Sequence, residues 1–251
     1  MKNGIDKKAD KPVSIAIETS SRQGSVAVGV GDRIIESVIF DAHRRHAVQL
    51  VSRLAELLED HNIEPVDVKE VYISIGPGSF TGLRIGLTVV KTLIQAIEEL
   101  YPASPVRCVA VPSEKVVVQN FSSVEMETKH LGVVMDAGGE CVYSAFYTKD
   151  ASGGFIPTLP PKVLKERELL STCPKPVTLT GEGLNYHQIS GKDIVIAPEN
   201  LWYPNARCLW QVAKRMAAEG KFCPASSLQP MYLRKTTTLF PKRPKQRNNT
   251  P

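Results

Sequence analysis

The hydrophobic positions change rhythm along the chain. Residues 13–19 alternate as a strand does, and a turn around Gly24 leads to a second strand at 25–30. Gly31-Asp32 turns the chain into a third at 33–40, so the three predict an antiparallel meander. Residues 46–60 shift to helical spacing, with Ala47, Leu50, Val51, Leu54, Leu57 and Leu58 on one side. A linker at 63–69 precedes a strand that ends at Ile75, the turn Gly76-Pro77-Gly78, and a helix that starts near Ser79. Pro102 and Pro105 close that helix, and residues 106–111 return as a strand. The order βββαβαβ predicts a mixed sheet covered by helices.

The second half repeats the theme. A strand at 131–135 runs into Asp136, Gly138-Gly139 fits a tight hairpin turn, and 140–147 is the return strand. The first strand likewise runs into Glu18 before its own turn. Residues 177–180 lead into Gly181-Glu182-Gly183, an echo of the strand that ends at Gly76-Pro77-Gly78, and a helix at 206–218 closes the fold. The pattern predicts an α/β protein of two related lobes, at 13–111 and 112–234, the second smaller and less regular. The closing helix has room to pack back on the first lobe. Residues 1–12 and the basic run 235–251 read as disordered.

The helix at 79–100 is apolar on two sides. Leu83, Leu87, Val90, Ile94 and Ile97 form one stripe, and Ile85, Val89, Leu93, Ala96 and Leu100 a second beside it. With Gly82 and Gly86 they span an arc of roughly 200°, well beyond what a helix on a single core needs. One reading is a helix sandwiched within the protein's own core. The other is a subunit interface, with Gly82 and Gly86 admitting another backbone at close range. Leu50, Leu54, Gly82, Leu83, Arg84, Gly86 and Val90 are the contact candidates, and Gly86→Leu is expected to weaken association while leaving the fold intact. The loop residues Gly76, Gly78, Ser79 and Thr81 are candidates for nucleotide or interface contact, with Ser79 or Thr81 capping the helix. The loop lacks the Lys-Ser or Lys-Thr pair of a P-loop and misses the dinucleotide spacing by one residue.

Composition adds modest constraints. The 251 residues carry a net charge of +5, with 42% hydrophobic and 23% charged residues, an ordinary balance for a globular protein. The N-terminal run lacks the apolar stretch of a signal peptide, and no apolar run approaches the ~20 residues of a membrane span, so a cytoplasmic protein is expected. Five cysteines, at 108, 141, 173, 208 and 223, never form C-x-x-C, and reduced buried thiols are expected rather than disulfides or zinc. His43 and His46 lie beside Arg44 and Arg45, which oppose a cation, and the other histidines are isolated; no metal site is predicted. The strand-end acids Glu18 and Asp136 suit metal–phosphate chemistry between two lobes, or else simply hydrogen-bond the turns that follow them. No catalytic residue is assigned. The inventory suits a binding partner better than an enzyme.

The run Gly76-Pro77-Gly78-Ser79-Phe80-Thr81-Gly82-Leu83-Arg84-Ile85-Gly86 closely resembles the signature of the bacterial TsaB (YeaZ) family, the dimerization subunit in tRNA threonylcarbamoyladenosine synthesis. Glu18-Thr19-Ser20 stands where that family usually has Asp-Thr-Ser. Asp136-Ala137, with Glu140 and Tyr143, resembles its D-A-R-x-x-E-V-Y segment, with Gly138-Gly139 in place of the arginine turn. Pro230 with Tyr232-Leu233-Arg234 resembles its closing P-x-Y-L-R.

The resemblance implies an ASKHA fold (actin-like, sugar-kinase-like, ribonuclease-H-like), two lobes of mixed sheet with flanking helices. It implies a non-catalytic subunit that binds and activates a TsaD-like paralogue, the transferase for threonylcarbamoylation of the tRNA adenosine beside the anticodon. The helices at 46–60 and 79–100 would form the pairing surface. A TsaE-like ATPase would complete the complex, and tRNA would be met indirectly, through the complex. A homodimer through the same helix, and ATP or ADP at the heteromeric interface, stay open. The H-x-x-x-H ligands of TsaD-like subunits align with Ser113 and Val117, so that metal site is expected to be absent. Two alternatives remain: an ATP-dependent phosphotransferase of the same fold using Asp136 or Glu18 as base, and an RNA-binding accessory protein acting through its basic tail.

Overall fold

In the computed structural model, which describes residues 11–41, 46–151 and 153–231, the alternating segments pair into two five-stranded sheets. The first holds β1 (Val13–Glu18), β2 (Gln23–Val30), β3 (Arg33–Asp41), β4 (Val68–Gly76) and β5 (Arg107–Pro112), in the order β3-β2-β1-β4-β5. β1, β2 and β3 form the antiparallel meander, and β4 and β5 join it in parallel. Parallel neighbours need crossovers, here α1 (His46–Asp60) ahead of β4 and α2 (Phe80–Leu100) between β4 and β5.

A short helix, α3 (Ser113–Gln119), leads into the second sheet. That sheet holds β6 (His130–Asp136), β7 (Cys141–Lys149), β8 (Phe155–Lys165), β9 (Val177–Thr180) and β10 (Ile194–Ile196), in the order β10-β9-β6-β7-β8. α4 (Glu166–Thr172) joins β8 to β9, and α5 (Ala206–Ala218) follows β10. Strand order and direction repeat those of the first sheet, with β6 to β8 antiparallel and β6, β9 and β10 parallel. The two lobes share one topology.

β8, β10, α3 and α4 went unread in the sequence. β8 carries Pro157, Pro160 and Pro161, which an edge strand tolerates because one side of it has no ladder to complete. β10 is three residues long, and α3 and α4 are seven each, too short for a period to show. The expectations for residues 1–10, for His43, Arg44 and Arg45, for Tyr232-Leu233-Arg234 and for the tail 235–251 lie outside the described residues.

The central strands of the first sheet are covered on both faces, so Ile15, Ala16, Ile17, Val71, Tyr72 and Ile73 are all buried. α1 and α2 cover one face, where Leu50, Leu54, Leu57, Leu87, Val90 and Ile94 meet Ile15, Ile17, Val71 and Ile73. α5 covers the other, setting Leu209, Trp210 and Ala213 against Ala16, Ala27 and Tyr72. Trp210 Nε1 donates to Ser14 Oγ at 2.7 Å, and its indole fills the space that a side chain at Gly29 would take. One sequence expectation needs correcting here. α2 is 21 residues long, and an 18-residue stretch of it reaches a mean hydropathy of 1.3, the length and composition of a membrane span. Its stripe Leu83, Leu87, Val90, Ile94 and Ile97 is buried in the first lobe.

Candidate functional site

The turn after β1 and the start of α2 are built as one unit. Ser79 N–H donates to Ser20 O at 2.6 Å, and Ser79 Oγ caps α2 by accepting from Gly82 N–H at 3.2 Å. Gly76 N–H donates to Ser113 Oγ at 3.1 Å. Gly78, Gly82 and Gly86 recur every fourth residue along the contact. A Cβ on them would stand 2.1 Å from Ser20 O, 2.0 Å from Thr19 O and 2.2 Å from Thr19 Oγ1 respectively. The backbone that comes close to Gly82 is this chain's own. With the N–H groups of Gly76, Ser79 and Gly82 engaged internally, those three donors are not presented to a phosphate. Thr81 is exposed on the first turn of α2.

Burial revises the contact candidates. Leu50 and Val90 are fully buried, Leu54 and Leu83 nearly so, and Gly82 and Gly86 are buried with them. All six face this chain's own sheet or the Thr19 turn. Arg84 is exposed, with its guanidinium carbon 4.1 Å from the centroid of the Phe80 ring. The exposed large apolar residues of this helix pair are Val48 and Val51 on α1, and Phe80 and Leu100 at the two ends of α2. The second stripe of α2 divides, with Ile85, Val89 and Leu93 half-buried and Ala96 and Leu100 exposed. Gly86→Leu therefore cannot isolate an interface, because the new side chain would enter Thr19 and Ile73.

Where the lobes meet, residues that the sequence offered singly come together. Glu18 ends β1 fully buried, its Oε1 accepting from Ser20 N–H at 2.7 Å. Burial pushes its carboxyl pKa up, against the hydrogen bond that Ser20 N–H donates. Asp136 ends β6, and its Oδ1 accepts from Gly138 N–H at 3.2 Å and lies 3.2 Å from His187 Nε2. Both acids thus hydrogen-bond the turns that follow them. Gly138 and Gly139 take φ of +82° and +64°, the left-handed pair a tight hairpin turn requires. His187 is buried, with Nδ1 3.0 Å from Glu166 Oε2 at the start of α4.

Glu182, on the turn after β9, has its pKa pushed up to about 7. Burial is the largest cause; Arg22 opposes it, and Asp136 and Glu18 reinforce it. Arg22, from the β1–β2 turn, hydrogen-bonds the Tyr186 hydroxyl of the second lobe and lies 5.0 Å from that ring's centroid. The junction therefore places Glu18 and Asp136 within electrostatic reach of Glu182, and Arg22–Tyr186 ties one lobe to the other. Arg22, Glu182, Tyr186 and His187 were missed in the sequence. The echo at Gly181-Glu182-Gly183 was the one signal on hand. A group near neutrality in such a junction can exchange a proton at pH 7.

The positions aligned with the TsaD-type ligands have other work. Ser113 is buried and bonded to Gly76, and Val117 lies in the core under the second sheet. A groove of about 570 Å³ opens between α3, α5 and the β7–β8 connection, and none of the sequence-nominated residues lines it.

The fold and this junction define a two-lobed α/β protein of the ASKHA type. A family model described as "TsaD: tRNA N6-adenosine threonylcarbamoyltransferase" matches residues 40–154. The Escherichia coli protein named tRNA threonylcarbamoyladenosine biosynthesis protein TsaB is 26% identical over 227 residues, 88% of this chain and 94% of that protein. The Bacillus subtilis protein of the same name is 33% identical over 84 residues, so that match spans 34% of this chain and 37% of that protein. YeaZ from Pseudomonas aeruginosa superposes with a TM-score of 0.74 at 23% identity, over 88% of this chain and 100% of that one. Along most of its length the chain is thus similar to proteins named TsaB, and it shares the fold of YeaZ.

Proposed function

We propose that this chain takes part in tRNA threonylcarbamoyladenosine biosynthesis as a non-catalytic subunit. In this reading it binds and activates a TsaD-like transferase that modifies the adenosine beside the anticodon. The observation that carries the reading is the match along 94% of the E. coli TsaB protein. The exposed apolar residues Val48, Val51 and Phe80, next to Arg84, support the outer side of α1 and α2 as the pairing surface. Leu50, Leu54, Leu83 and Val90 hold that surface from beneath, and Gly82 and Gly86 set α2 on the Thr19 turn. The free chain covers the same face by homodimerising. A TsaE-like ATPase joins the assembly, ATP or ADP belongs to the heteromeric interface, tRNA is reached through the complex, and the compartment is the cytoplasm.

The test is light scattering on size-exclusion fractions of the chain alone and mixed with the TsaD-like protein of its source. A heteromeric species formed at the expense of the homodimer is expected. Absence of any complex under reducing, low-salt, nucleotide-supplied conditions would overturn the proposal.

One observation favours a second reading, an ATP-dependent phosphotransferase. Glu182, with a pKa of about 7 beside Glu18 and Asp136, suits proton transfer at neutral pH. Substrate-dependent ADP release by the isolated chain, lost in Glu182→Gln, would establish it.

A further inference from the structure

The segment after α5 runs back along the free edge of the first sheet. Cys223 N–H donates to Cys108 O at 2.9 Å, an antiparallel bridge that pairs the two cysteines at the outer side of β5. Ala225–Ser227 then turns against α2, Leu228 enters the first core, and Met231 N–H donates to Ile75 O at 2.7 Å beside the Gly76 turn. The segment is a strap over a strand edge that would otherwise present unpaired backbone groups.

Residues opposed across an antiparallel bridge hold their Cα atoms about 4.5–5.5 Å apart, within the range that a disulfide spans. Cys223 also packs against the same core cluster that holds Cys108. Burial first, and then the neighbouring Cys223, push the Cys108 thiol up. Cys108 is buried and Cys223 is partly exposed, so an oxidant from solvent reaches Cys223 first. Cys173 and Cys208 direct their sulfurs elsewhere, to Leu170 O and Asn120 Oδ1.

We propose that Cys108 and Cys223 are a peroxide-sensitive pair that closes to a reversible disulfide and fastens the C-terminal strap to β5. The Cys223 thiolate sulfur attacks the peroxide; an S–O bond forms, the O–O bond breaks, and the departing hydroxide is protonated to water. Cys108 then displaces the sulfenic hydroxyl. An S–S bond forms, the S–O bond breaks, and the leaving hydroxide takes the Cys108 proton as a second water. Two thiols and one peroxide become one disulfide and two waters. Burial disfavours the Cys108 thiolate, which makes the second step the slower one. In a reducing compartment such a link is transient, as redox-responsive disulfides are.

The experiment treats the full chain with hydrogen peroxide, blocks remaining thiols and digests without reductant. The expected result is an intact mass lower by two hydrogens and a linked peptide pair containing Cys108 and Cys223, both reversed by dithiothreitol. Amide exchange over residues 222–231 slows in the oxidised form. Cys223→Ser, at the partly exposed position, abolishes the mass loss, and Cys108→Ser repeats the test from the buried side. Five unlinked thiols after peroxide, over-oxidation at Cys223 with no link, or a link involving Cys141, Cys173 or Cys208 would overturn the proposal.

Discussion

A Cβ atom on Gly82 would lie 2.0 Å from the carbonyl oxygen of Thr19, inside any non-bonded carbon–oxygen contact. The same closeness recurs at Gly78 and Gly86, so the four-residue glycine spacing fits one helix to one turn. Gly82→Ala gains roughly 1 kcal/mol of helix propensity but must lever α2 away from β1. Overpacking costs about 1–3 kcal/mol, so the net expectation is a loss of up to about 2 kcal/mol. Urea unfolding checks it, and a variant as stable as the parent would mean that α2 can shift along the turn at no cost.

Glu114, at the start of α3, makes stability depend on pH. It is buried, and its carboxyl pKa is pushed from 4.5 up to about 7, chiefly by burial and against its own backbone N–H and the Lys115 charge. Between these values the folded chain keeps a proton that the unfolded chain releases. Stability therefore falls as pH rises from 4.5 to 7, then levels off, with a total change of at most about 3 kcal/mol from this group. Glu114→Gln should remove most of that slope and raise the melting temperature at pH 8. The Glu182 carboxyl, also about 7, contributes a slope of the same sign, so some pH dependence should survive the substitution. An unaltered pH profile in Glu114→Gln would assign the slope elsewhere.

The strands and crossovers of the first lobe were legible because each is long enough to show its period, and the meander turns carry glycine. Less legible was the direction in which Leu83 and Val90 point. An apolar arc on a helix states how much surface is covered and not what covers it. Here the sheet takes Leu87, Val90 and Ile94, while the Thr19 turn takes Gly82 and Gly86. The junction was hidden for another reason. His187 meets Asp136 across 51 positions and Arg22 meets Tyr186 across 164, so their contacts follow from closure of the fold and from no local pattern. β8 hid behind its own prolines.

His187 holds two carboxylates with one ring. Asp136 at one nitrogen and Glu166 at the other are both served only when each nitrogen carries a hydrogen. His187→Ala would leave a cavity and two acids without their shared donor. Both acids are about one-third exposed, which lets water replace part of the loss. A destabilisation of about 1–3 kcal/mol follows. Amide exchange over residues 182–189 should speed up more than exchange in the first sheet. Uniform exchange across both lobes would show that the bridge does not hold this turn.

Val51 offers the sharper probe of the pairing surface. It is 52% exposed on α1, so an aspartate there already meets water in the free chain and costs the fold little. At a heteromeric interface the same carboxylate would be stripped of water without a partner. Val51→Asp should weaken association with the TsaD-like protein by roughly tenfold or more, about 1.4 kcal/mol, with an unchanged melting temperature. Ile156→Asp is the matched control, since Ile156 is 57% exposed on β8 of the other lobe. Gly82 and Leu83 are unsuitable for this purpose because altering them damages the packing that presents the surface. If Val51→Asp binds as the parent does while Ile156→Asp binds weakly, the partner docks on the second lobe, and the apolar side of α1 and α2 serves only the free protein.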